Sequence, residues 1–139
     1  MKTKSLIFFA VCLMITVAFL SNNAFAQKKP GPWEVPAKYK TMKNPVKTTN
    51  AEAIATGKTL YAKHCKSCHG SKGLGDGPKA AGLKTSSGDF SGAAFQSMTD
   101  GELYYKTAFG RNEMPGYEKK IPSADEMWAV VNFMRTLKK

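Results

Sequence analysis

The chain has 139 residues, with 21 Lys and Arg against 10 Asp and Glu, a formal charge of +11 and three cysteines. Once a leader is set aside, that length holds one small domain and excludes two. So small a domain builds little apolar core and usually needs a metal, a disulfide or a cofactor as a staple. A basic chain suggests nucleic acid, but the lysines are spread along the sequence, no nucleic-acid-binding pattern is visible, and export argues against it.

The export signal is residues 1–26. Met1-Lys-Thr-Lys4 is basic, Leu6 to Leu20 is almost wholly apolar, and Ala24-Phe25-Ala26 puts small residues where a signal peptidase reads. The apolar run is shorter than the roughly 18–20 residues a bilayer span needs, so a cleaved leader is the better reading than a retained anchor. Cys12 leaves with it, and so do Lys2 and Lys4. Nineteen basic residues against ten acidic ones then give the mature chain +9. The expected location is a bacterial periplasm.

Residues 27–50 form a Lys/Pro-rich arm with Pro30, Pro32, Pro36 and Pro45, expected to be extended. Trp33, Val35, Tyr39, Met42 and Val46 recur through it, so the arm is expected to lie against the domain at 51–139. A first helix is expected from Thr49 or Asn50, where Thr49-Asn-Ala-Glu52 has capping-box spacing. From Gly70 to about Ser97 the chain is glycine-rich and irregular. A loop that long suits wrapping something that is not protein. Thr99-Asp-Gly-Glu102 opens a second helix that Gly110 stops, and Ser123-Ala-Asp-Glu126 opens a last one. Met127, Val130, Val131 and Met134 make its apolar stripe. No alternating strand pattern appears.

Cys65-Lys-Ser-Cys-His69 carries the chemistry, because C-x-x-C-H is the pattern of c-type haem attachment. On a helical turn Cys65, Cys68 and His69 share a face. Both thiols can then reach the two vinyl groups of one porphyrin as thioethers, and the imidazole can sit over the iron. A disulfide between these cysteines would close almost no loop and contribute little. Structural zinc wants four ligands, and the mature chain offers only His64, Cys65, Cys68 and His69, crowded together. A thioredoxin-like pair expects a preceding strand, and none is indicated.

The second axial ligand is expected from Met42, Met98, Met114, Met127 or Met134. Met127 and Met134 belong to the apolar stripe, Met98 precedes a cap, and Met42 is in the arm. Met114 lies in a loop where periodicity demands nothing apolar, so it is the expected ligand, and a His/Met pair raises the potential. His64 is too near Cys65 to cross to the other face.

From about Ala51 to Lys139 the chain resembles the class I monohaem cytochrome c family. The resemblance rests on Gly57, Tyr61, Cys65-Lys-Ser-Cys-His-Gly70, Gly75-Asp-Gly-Pro78, Gly110-Arg-Asn-Glu-Met-Pro115 and the helix through Trp128 to Leu137. It implies an all-α fold, three to four short helices and long loops round one covalent haem c, with the first and last helices crossing at Gly57. It also implies a hydrogen bond from the outer nitrogen of His69 to the Pro78 carbonyl.

The function expected is one-electron carriage between respiratory partners, an acidic-surfaced oxidase, reductase or dehydrogenase as donor and acceptor, with no catalytic residue. An anionic membrane surface or membrane complex is a further docking place. Lys63, Lys66, Lys72 and Lys79 are the expected steering charges. The rivals are a haem subunit of a larger oxidoreductase and, last, an open-site peroxidatic or ligand-binding haem protein.

Overall fold

The computed structural model describes residues 31–139. The leader, with Cys12, and the first residues of the arm lie outside them. In chain order the elements are α1 (Ala37–Lys40), α2 (Ala51–His64), α3 (Lys66–His69), a 3-10 turn (Ala80–Gly82), α4 (Ala93–Gln96), α5 (Asp100–Phe109) and α6 (Ala124–Arg135). The described residues contain no strand, and the fold is all-α, as the sequence implied.

Side-chain caps start the three longer helices. At α5 the box is complete: Thr99 Oγ1 accepts from the Glu102 N–H at 3.2 Å, and the Glu102 carboxylate accepts from the Thr99 N–H at 2.7 Å. Only half of the box forms at α6, where Ser123 Oγ accepts from the Glu126 N–H. The Thr49–Glu52 box does not form. Asn50 caps α2 instead, accepting from the Ala53 N–H at 3.1 Å. Asparagine is at least as good a cap as threonine, so the start moves one residue along.

Helices α2 and α6 make the main packing contact of the fold. They touch at Gly57, where an added Cβ would run into the Ala129 carbonyl oxygen. Tyr61, Met127, Val130, Val131 and Met134 are buried around this crossing. The Tyr61 hydroxyl donates to the Gly70 carbonyl at 2.8 Å, tying the core to the residue after His69. Burial, assisted by Cys65 and Asp76, pushes the Tyr61 pKa up, so this donor stays protonated.

The arm is not extended throughout. Pro36 precedes one helical turn, α1, consistent with the tolerance of proline at helix starts. Val35 is buried, and Tyr39 packs on Tyr105 and Phe109 with ring centroids 4.8 and 5.7 Å away. Asn44 donates to Asn132 at 2.8 Å and to Asp100 at 3.2 Å. Asn132, wholly buried in α6, donates in turn to the carbonyls of Val46 and Lys47. A buried amide needs such partners, so these bonds fix where the arm crosses the helices.

Candidate haem site

Cys65 ends α2, and Cys68 and His69 lie on the single turn α3 that follows. The Cys68 and His69 amides both donate to the Cys65 carbonyl, at 3.2 and 3.0 Å, which closes the motif into one turn. All three side chains line one cavity of about 640 Å³. That volume falls in the range of pockets that enclose an organic cofactor or ligand. The glycine-rich segment forms another wall, including Leu83, Thr85 and Phe90. The loop after α5 brings Met114 to the same cavity.

His69 is buried, and its ring lies 4.3 Å from the Phe90 ring, centroid to centroid. Burial lowers its pKa to about 4, with the Ser87 backbone opposing part of the shift, so the imidazole is neutral. Neutral imidazole is the form that binds a metal. Its Nδ1 is buried without a hydrogen-bond partner. The bond to the Pro78 carbonyl that the resemblance implied is therefore not made here, and Pro78 is exposed. Cys65 and Cys68 are unbridged thiols. Burial first, and then Cys68, pushes the Cys65 pKa up to about 12.

These features fit a covalently held haem. Two free thiols and a neutral, under-partnered imidazole face one cavity, and the described residues contain no cluster of His, Cys, Asp and Glu able to hold a bare metal ion. Cys65 and Cys68 would carry the thioethers, and His69 would ligate the iron.

Of the five methionines outside the leader, Met98, Met114 and Met134 line the cavity, and Met42 and Met127 do not. Met134 is buried in the α6 stripe, as its periodicity suggested. Met98 Sδ lies 2.9 Å from Lys106 Nζ. Met114 sits in a tight loop, where Arg111 and Met114 exchange backbone hydrogen bonds at 2.8 and 3.0 Å. Asn112 turns that loop with φ 53°, a conformation asparagine tolerates better than most residues. His64 also reaches the cavity rim, packed beside Tyr117, whose hydroxyl donates to the His64 carbonyl at 2.8 Å.

Sequence reasoning missed three contributors. Phe90 packs against His69 with its ring tilted, from a segment read only as irregular. Lys106 and Arg111 face the cavity, and both lie over the Trp33 ring, at 5.6 and 4.6 Å from its centroid. The aromatic residue in a proline-rich arm was the available signal, but nothing in the sequence paired it with α5.

An all-α chain that closes a haem-sized cavity over C-x-x-C-H defines a c-type cytochrome. The sequence model of the cytochrome c family matches residues 54–138, and the chain belongs to that family. Among solved structures it is similar to the KustC0563 c-type cytochrome, with 30% identity, a TM-score of 0.51, and coverage of 60% of this chain and 98% of that one. It is also similar to a chain of the Kuenenia stuttgartiensis reducing HAO-like protein complex Kustc0457/Kustc0458. There the identity is 27% and the TM-score 0.60, over 84% of this chain and 54% of that one. No curated protein sequence gives a significant match.

Proposed function

We propose that this chain is a periplasmic one-electron carrier holding one covalent haem c, with His69 and Met114 both ligating the iron. The observation that supports this most is that the motif histidine and the loop methionine reach the same cavity from different elements. With both coordinated, no position is left for a substrate. Bound there, the haem supplies a one-electron iron couple. The protein's part is to anchor it through Cys65 and Cys68, keep His69 neutral, exclude water with Phe90, and set the potential through the thioether ligand.

Docking follows from charge. Lys63, Lys66, Lys72 and Lys79 are all exposed, just before, within and after the haem motif. An acidic-surfaced donor or acceptor would be steered to them. Raising ionic strength from about 10 mM to 150 mM shortens the Debye length from about 30 to 8 Å, so the second-order rate should fall by about tenfold or more. Stopped-flow reduction by an acidic redox protein reads this, and a rate flat with salt removes the steering.

The second reading is a haem subunit of a larger periplasmic oxidoreductase. It is favoured by the likeness to a chain of an HAO-like complex. Gentle extraction from the native host separates the two. A stable co-purifying complex supports the subunit, and a clean monomer supports the free carrier.

A further inference from the structure

We infer that the arm is the strap that holds the methionine loop shut. The inference rests on Met114 being the sixth ligand, as proposed above. The loop from Gly110 to Gly116 is firmly based. Tyr117 donates its amide to the Thr107 and Ala108 carbonyls, at 3.1 and 2.9 Å, and its ring is buried. The tip is different. Asn112, Glu113 and Pro115 are exposed, so apolar burial contributes little to holding it.

Two charged side chains flank Asn112, and each ties the tip to a different segment. Arg111 reaches the arm. Its Nη1 donates to the Pro32 carbonyl at 2.6 Å and to the Gly31 carbonyl at 3.2 Å, and its Nη2 donates to Gly31 at 3.2 Å. Its guanidinium also lies 4.6 Å from the centre of the Trp33 ring. Glu113 reaches the glycine-rich wall, where its carboxylate accepts from the Lys84 and Thr85 amides at 3.0–3.2 Å. Hydrogen bonds with one ionised partner are the stronger kind, and a forked guanidinium over an aromatic face is hard to replace.

The arm is held in its turn. Val35 is buried, Tyr39 packs on α5, and Asn44 is bonded to Asn132 and Asp100. Trp33 and Arg111 therefore connect a fixed strap to a loop tip that apolar burial does little to hold. A loop gripped at its base and clamped only at its tip opens by losing the clamp. The arm then sets how often Met114 leaves the iron, and so how easily an outside ligand takes its place. Trp33, Arg111 and Glu113 are positioning residues in this account, acting through Met114.

The test is imidazole binding to the ferric holoprotein, with haem content and far-UV circular dichroism recorded alongside. Trp33→Ala, Arg111→Lys and Glu113→Ala should each tighten imidazole binding by about tenfold, the effect of removing one closing interaction. Trp33→Ala with Glu113→Ala should approach the product of the two effects, since they act on separate segments. Helix and haem content should stay at the wild-type level. Met114→Ala separates the two inferences. If it leaves imidazole affinity unchanged, the ligand assignment fails. If it tightens binding while the Trp33 and Arg111 variants stay within about twofold of wild type, the strap alone fails, whatever Glu113→Ala does.

Discussion

Replacing Cys65 and Cys68 together by alanine is expected to yield little folded protein. Both cysteines line a cavity of about 640 Å³ that lies against the core residues Leu103, Tyr117 and Met134. Apolar walls left without the haem lose packing contacts that a domain stable by only about 5–15 kcal/mol depends on. Without thioethers the haem is held only by coordination and packing, so it is lost whenever the loop opens. Soluble yield, haem content and far-UV circular dichroism check this. A double variant with wild-type helix content and a normal cooperative melt contradicts it.

Gly57→Ala is expected to destabilise the protein, against the usual direction of that change in a helix. Helix propensity alone favours alanine by about 1 kcal/mol. The added Cβ, however, meets the Ala129 carbonyl oxygen and sits close to the Val130 amide. These are backbone atoms of α6 and cannot rotate away. The helices must part, and the contact they share is the largest in the fold. With α6 backbone this close the cost belongs at the top of the roughly 1–3 kcal/mol range for overpacking, so after the propensity gain the net loss should be about 2 kcal/mol. In a domain of this size that lowers Tm by about 8–16 °C. An unchanged or higher Tm would show that the two helices do not meet at Gly57.

The sequence made the chemistry legible because it is local. Cys65, Cys68 and His69 sit on one turn, and the spacing that marks them is the spacing that brings them together. The Thr99 box and the α6 stripe were legible for the same reason. The cap of α2 moved by one residue because Thr49 and Asn50 are both good caps and only the backbone angles choose between them. The single-turn helices α1 and α4 left no periodic signal, being too short to have one. Long-range pairings were not legible. Trp33 and Arg111 are far apart in sequence, and so are Phe90 and His69, with no local pattern linking either pair. Three methionines turned out to share the cavity, where sequence position had set Met98 and Met134 aside. The proposal that Met114 is the ligand draws on Met134 being committed to the helix stripe and Met98 being engaged with Lys106.

If His69 and Met114 fill both axial positions of a covalent haem, no outside ligand should readily reach the iron. Absorption spectra of the reduced holoprotein, before and after carbon monoxide, test it most directly, with Met114→Ala measured beside the wild type. The wild-type spectrum should not change, whereas Met114→Ala should bind carbon monoxide readily, and its potential should also fall with the loss of the thioether. Ready binding of carbon monoxide by the wild-type protein would contradict it, and would point to ligand binding or catalysis at an open iron.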